Sequence, residues 1–135
     1  MREYDFSIFE DDGKFGVNRL KKEYPFMIDS ASENYNPLYE MPAGWLCAFG
    51  EEMLKDLRTA MGKHVRNFHC LQIKEKWGEL VIYFDRYSSE VENVIHKYSM
   101  FSKQFCAKCG LPLKKEEKMF CKRCLNEEGV KNEKN

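Results

Sequence analysis

Two short cysteine runs carry the clearest chemistry of this chain. They read Cys106-Ala107-Lys108-Cys109-Gly110 and Cys121-Lys122-Arg123-Cys124, with eleven residues between Cys109 and Cys121. Two C-x2-C pairs in tandem have the spacing of a tetrahedral, all-thiolate zinc site. Each pair is expected to bend the backbone into a knuckle that turns both sulfurs toward one metal. Gly110 suits the residue after a knuckle, where a positive φ is needed and glycine adopts it at little cost. The competing chemistries are disulfides and a redox C-x-x-C. Disulfides need an oxidising compartment, whereas the sequence opens on Met1 and charged residues with no apolar signal segment, so the expected setting is cytoplasmic. A redox pair is expected near a βαβ pattern, which the sequence lacks. The spacing therefore predicts one Zn2+ per chain on Cys106, Cys109, Cys121 and Cys124. Four thiolates fill a tetrahedral zinc and leave no position for water or substrate, so the predicted role of the metal is structural.

A second group of capable residues is Lys74-Glu75-Lys76-Trp77-Gly78-Glu79. On a hairpin, Lys74 and Lys76 point to one face and Glu75 to the other. One reading is a solvated hairpin end whose alternating charge blunts a sheet edge. The other is a recognition tip of Lys74, Lys76 and Trp77. There the indole anchors a partner protein, or stacks on a base while the lysines meet phosphate. The placement of Trp77 stays open on sequence alone. A turn is a hard place to bury an indole, yet so small a domain needs most of its aromatics inside, which favours the core.

The remaining inventory speaks against catalysis. His64, His69 and His96 stand in no nucleophile or metal motif, and on a strand His64 and His69 face opposite ways. The sequence contains no P-loop, no G-x-G-x-x-G and no G-x-S-x-G. Glu75 and Asp85 would meet only by accident of the fold. The expectation is a binding protein and not an enzyme. Cys47 and Cys70 fall in apolar-periodic segments and are expected to be small buried hydrophobes.

The elements that must position these residues follow from periodicity. Trp45, Leu46, Phe49, Met53, Leu54, Leu57, Ala60 and Met61 recur at three- and four-residue steps, the stripe of an amphipathic helix, with Gly62 as its stop. Residues 65–74 and 80–85 alternate as strands, with Leu71 and Ile73 on one face of the first and Phe68 and Cys70 on the other. The short link between them predicts an antiparallel hairpin with a glycine-bearing turn. Ser89 and Glu92 form a capping box for a second helix, whose stripe is Val91, Val94, Ile95, Tyr98 and Phe101 and which ends near Ser102. Residues 111–120 are expected to form a short hairpin between the knuckles. Toward the front, Phe6, Ile8 and Phe9 suggest a docked strand, 11–14 a turn, 17–23 a short helix stopped by Pro25, and 29–41 a long loop whose Tyr35 and Tyr39 pack on the core. Residues 126–135 are polar, charged and expected to fray.

Composition sets the frame. At 135 residues, 43% apolar and 14% aromatic, the chain supports one modest core plus a metal-stapled appendage. Apolar runs fall well short of the roughly 18 residues of a membrane span. Net charge is zero but uneven: residues 1–60 carry seven Lys or Arg against twelve Asp or Glu, and residues 103–135 carry nine against five. A basic C-terminal part fits nucleic-acid contact. It equally fits lysines that stabilise a zinc centre of formal charge −2.

Three runs together resemble a family of small uncharacterised proteins carried by phages and prophages. They are Pro42-Ala43-Gly44-Trp45 before a helix, Gln72-Ile73-Lys74-Glu75-Lys76-Trp77-Gly78-Glu79-Leu80-Val81-Ile82-Tyr83, and the C-terminal C-x-x-C-G. Leu20 to Pro25 matches that family's Leu-x-x-x-Tyr-Pro lead-in. Val81 stands where the family commonly has arginine, and Cys121 and Cys124 replace a more variable second half-site. The resemblance implies a setting, a mobile genetic element in a bacterial host, and no particular mechanism. The sequence thus predicts an α+β protein: a small antiparallel hairpin packed on two amphipathic helices over residues 1–104, a zinc ribbon or treble-clef-like knuckle pair over 105–125, and a charged tail over 126–135. Its expected work is to dock on a host protein and inhibit or modulate it, with a counter-defence role among the possibilities. The alternative is a nucleic-acid-binding zinc-ribbon regulator.

Overall fold

In the computed structural model, the described residues are Leu20, 22–27 and 37–126. The expected strand at 6–9, the turn at 11–14, most of the helix from residue 17, Tyr35 and the tail beyond 126 lie outside them. The chain is α+β, as its periodicities predict.

The first apolar stripe makes one continuous helical rod. It begins as α1 (Ala43–Trp45), widens into a π-helical turn (Leu46–Gly50) and continues as α2 (Glu51–Met61). Trp45, Phe49 and Met53 lie four residues apart, and a regular α-helix would rotate such a row by about 40° per step. The wide π turn absorbs that drift, and Trp45, Leu46, Phe49, Met53, Leu54, Leu57 and Met61 are all buried. Gly62 closes α2 as expected.

The hairpin pairs β1 (Cys70–Lys76) with β2 (Glu79–Phe84), in register at Ile73↔Ile82, Glu75↔Leu80 and Lys76↔Glu79. Leu80, Ile82 and Phe84 face the core, whereas Tyr83 on the other face is exposed. The first strand starts five residues later than its alternation suggests, because Gly62–Asn67 continues the helical end as a 3-10 segment. A register shift between Cys70 and Gln72 then breaks the alternation. Cys70 and Ile73 are buried, while Leu71 is turned outward and does not share the face of Ile73.

The second stripe forms α3 (Ser89–Ser102). Its cap is Ser88, one residue before the expected Ser89: the Ser88 side chain accepts the Val91 N–H at 3.2 Å. Ser88 has the extended backbone that an N-cap requires, and the shift removes Glu92 from N3, so no capping box forms. Helix α3 packs on α2 and on β2. Ser102 Oγ accepts the Leu80 N–H at 2.9 Å, and the Tyr87 hydroxyl accepts the Phe84 N–H at 3.0 Å. Two outward donors of β2 are thereby satisfied by side chains, which closes part of a sheet edge. Asp56 on α2 accepts hydrogen bonds from Tyr98 and Lys97 of α3. Burial and the Asp56 carboxylate push the Tyr98 phenol well above its usual range.

Near the front, Pro37 and Leu38 are buried in a 3-10 turn against β1, but Tyr39 is exposed and does not pack into the core as expected.

Candidate functional site

The four C-terminal cysteines converge. Their sulfurs all lie within 4.8 Å of one another, and Cys109 Sγ and Cys121 Sγ are 3.7 Å apart. Sulfurs at two corners of a tetrahedral zinc site are separated by about 3.8 Å, given Zn–S bonds of about 2.3 Å. A disulfide would bring them to about 2.05 Å, and the four thiols are free. The donor set and its spacing therefore fit one metal ion.

The two pairs present their sulfurs differently. The first is a knuckle: Gly110 N–H bonds back to Cys106 O at 2.9 Å, and Gly110 has the expected positive φ. The Cys109 N–H points at Cys106 Sγ, 3.5 Å away. The knuckle is closed by a bridge between Phe105 and Pro112. The second pair sits on the first turn of a helical segment at 122–126, with Leu125 N–H on Cys121 O at 3.0 Å. A knuckle facing a helix start is the treble-clef-like form of the two expected. The expected hairpin over 111–120 does not form; backbone pairing crosses the first knuckle instead, and 111–120 runs as turns. Glu117 organises this stretch, accepting the Lys114 N–H at 2.7 Å with one oxygen and the Lys122 N–H with the other.

Electrostatics at the sulfurs are divided. Burial disfavours the Cys106 thiolate, but the N–H groups of Cys109, Cys121 and Lys108 outweigh it and bring the thiol down to about 7. Cys124 is pushed up by burial and by the neighbouring thiols of Cys121, Cys106 and Cys109, and Cys109 is raised chiefly by burial. Packed thiols resist joint ionisation, and a cation at their centre removes that resistance.

The knuckle is docked on the main core by contacts that periodicity does not reveal. Gly44 N–H donates to Ala107 O at 2.7 Å, and the Trp45 indole Nε1–H donates to Phe105 O at 3.0 Å. Trp45 is fully buried, and Ala107 belongs to the same buried cluster as the helices and sheet. A Cβ on Gly44 would lie 2.3 Å from Cys106 O and 2.6 Å from the Ala107 carbonyl carbon and oxygen. The Gly-Trp pair that opens the rod is thus the seat of the first knuckle: glycine permits the approach and tryptophan supplies the donor. Only the Gly-Trp dipeptide itself signals this in the sequence.

The hairpin tip is the other notable surface. Trp77 is 91% exposed, which overturns the expectation that favoured the core. Trp77 and Gly78 form a two-residue turn in which both have positive φ, 57° and 79°, as a type I′ turn requires. Glycine is at ease there, whereas a bulky L-residue in the left-handed region costs about 1–2 kcal/mol. Glu75 Oε2 accepts the Gly78 N–H at 2.6 Å. We expect Gly78→Val to lower stability by about 2 kcal/mol. Chemical denaturation measures this, and a wild-type midpoint would refute the turn requirement.

Of the predicted tip lysines, Lys74 lies over the Tyr83 ring, 5.4 Å from its centroid, and Lys76 is exposed beside the turn. Three residues that sequence reasoning did not select join Trp77 instead. Lys103 from the end of α3, and Lys118 and Met119 from the loop before the second cysteine pair, line a cleft of about 320 Å³ with Trp77 and Gly78. No local pattern marks these residues, because tertiary packing alone brings the segments together.

His69 and Asp85 meet where the two strands end away from the turn. Asp85 accepts the His69 N–H at 2.8 Å and pairs with its Nδ1 at 2.7 Å. Burial raises the Asp85 carboxyl, but the His69 hydrogen bonds prevail and hold it below its usual range. His64 belongs to the 3-10 segment, so the alternating-face argument for His64 and His69 does not apply. Glu75 and Asp85 stand at opposite ends of the hairpin and do not pair. Cys70 is buried as expected, but Cys47 is only half-buried. Among the described residues no helix is long and apolar enough to cross a membrane. No protein-family model matches the chain, and neither a curated protein nor a solved structure matches it.

Proposed function

We propose that this is a zinc-stapled, non-enzymatic interaction protein of a phage or other mobile genetic element. It acts in the cytoplasm of the bacterial host, where it docks on a host protein through the Trp77 turn and inhibits or modulates it. The resemblance to phage-carried proteins suggests the setting alone, and counter-defence is one form that modulation of a host protein would take there. The metal is one Zn2+ per chain, held by Cys106, Cys109, Cys121 and Cys124. It is structural, because four thiolates close the coordination shell.

The observation that carries the docking reading is Trp77 itself. An indole is left 91% exposed, at a position where its own backbone conformation is unfavourable. Strain retained at an exposed aromatic, where asparagine would fit without it, points to selection for contact. Charge favours a protein over a polyanion at this tip, since Lys74 and Lys76 alternate with Glu75 and Glu79.

The test is Trp77→Asn. Asparagine suits the first position of a type I′ turn, so this variant should be more stable than wild type by about 1 kcal/mol. Co-purification from a bacterial lysate should at the same time lose the host protein that the zinc-loaded wild type captures. Equal capture by both proteins would refute docking through the tip. Capture of nucleic acid instead, falling steeply with salt as counterion release requires, would favour the nucleic-acid reading.

A further inference from the structure

The cleft beside Trp77 has a composition that selects its occupant. We propose that it seats a peptide segment of the partner protein carrying one acidic residue next to a bulky apolar side chain. This rests on the docking reading above and names the chemistry of the partner.

Trp77 and Met119 line the cleft, residues that bring a flat aromatic side chain and an adaptable apolar one. Lys103 and Lys118 line it as well. Lys103 is already balanced by Glu79, 3.5 Å away. Lys118 is exposed and makes no ion pair among the described residues. The cleft therefore presents one uncompensated positive charge beside apolar walls, which matches a single carboxylate. A nucleic-acid backbone needs a continuous basic track. Here the carboxylates of Glu75 and Glu79 interrupt it, one bound to the turn and the other to Ser99 and Lys103.

Size and backbone point the same way. A volume of about 320 Å³ is at the small end for ligand pockets and suits side chains of an extended segment. The two non-glycine residues with positive φ among the described residues are Trp77 and Met119, and both line this cleft. They stand 42 positions apart in sequence, so a shared turn does not explain the coincidence. Unfavourable backbone held on both walls of one cleft is characteristic of a ligand clamp.

The experiment is an NMR titration of the full-length, zinc-loaded, isotope-labelled chain with three short probes. They are a peptide of alternating aspartate and leucine, one of alternating lysine and leucine, and an oligothymidylate. The aspartate–leucine peptide should shift the Trp77 indole N–H, the Gly78 amide and the Met119 methyl. Lys118→Glu should weaken that binding by about tenfold or more, whereas Lys115→Glu, outside the cleft, should not. Equal binding of the lysine–leucine peptide, preferential binding of the oligothymidylate, or no shift with any probe would each overturn the proposal. The lysate capture separates the two claims. Capture lost in Trp77→Asn but kept in Lys118→Glu would leave the docking tip standing and overturn the acidic-segment chemistry. Capture kept in both variants would overturn the docking reading itself.

Discussion

Gly44→Ala is expected to lower the stability of the protein by about 3 kcal/mol or more, an effect out of scale for adding one methyl group at a helix start. On an ordinary helix the same change is stabilising, because glycine lowers helix stability by about 1 kcal/mol relative to alanine. The sign reverses here because the added Cβ would meet backbone, 2.3 Å from Cys106 O and 2.6 Å from the Ala107 carbonyl. Backbone cannot swing aside as a side chain can. Relief would require the knuckle to move away from α1. That movement would stretch the Gly44 N–H bond to Ala107 O and the Trp45 indole bond to Phe105 O. A buried indole donor left without its acceptor adds about 1–3 kcal/mol. Chemical denaturation of the two proteins at equal zinc loading measures the difference. A stabilised Gly44→Ala would show that the knuckle does not approach the rod this closely.

Metal removal should have the largest consequence of any perturbation, since a structural four-ligand zinc contributes on the order of 10 kcal/mol of binding free energy to the folded form. The segment around the cysteines has only a small cluster of its own: Cys106, Cys121 and Cys124, with Cys109, Leu113 and Phe120 packed beside them. Without a cation the packed thiols have no common partner, and the loop loses its shape. The loosening should not stop there, because Phe105 and Ala107 hold the start of the rod. The chain has two tryptophans, so in a Trp77→Asn background Trp45 alone reports. Chelation should shift the Trp45 emission to longer wavelength and speed hydrogen exchange at the Gly44 amide. The amide of Val81, which faces Lys74 in the hydrogen-bonded ladder of the hairpin, and that of Leu57 in α2, whose side chain is buried, should stay protected. Unchanged Trp45 emission would mean that the knuckle keeps its shape without metal. Loss of protection at Val81 and Leu57 would mean that the metal holds the whole fold.

The parts of this molecule that could be read from sequence are those encoded locally. The cysteine spacing picked out the four residues whose sulfurs converge, because two C-x2-C pairs constrain backbone and sulfur together. The stripe from Trp45 to Met61 and the alternation of Leu80, Ile82 and Phe84 fixed the helical and strand faces, since burial on one side imposes a period. Where two local solutions were nearly equal, sequence reasoning was misled. Ser88 and Ser89 are both competent caps, and it is Ser88 that takes the extended backbone and accepts the Val91 N–H. The register shift between Cys70 and Gln72 turns Leu71 out of a pattern that looks continuous. The general need of small domains for buried aromatics does not reach Trp77, because a two-residue turn leaves its first residue exposed. The seat of the knuckle on Gly44 and Trp45, and the meeting of Trp77 with Lys103, Lys118 and Met119, join residues distant in the chain. No period or spacing carries such information.

Native mass spectrometry of the intact protein tests the central claim, a four-thiolate centre that staples the knuckle, most directly. The wild type should carry one zinc ion per chain, and Cys109→Ser, which removes a sulfur 3.7 Å from that of Cys121, should carry none or release it at far lower chelator concentration. A wild type without bound metal, or a Cys109→Ser variant that holds zinc as firmly as the wild type, would contradict the account.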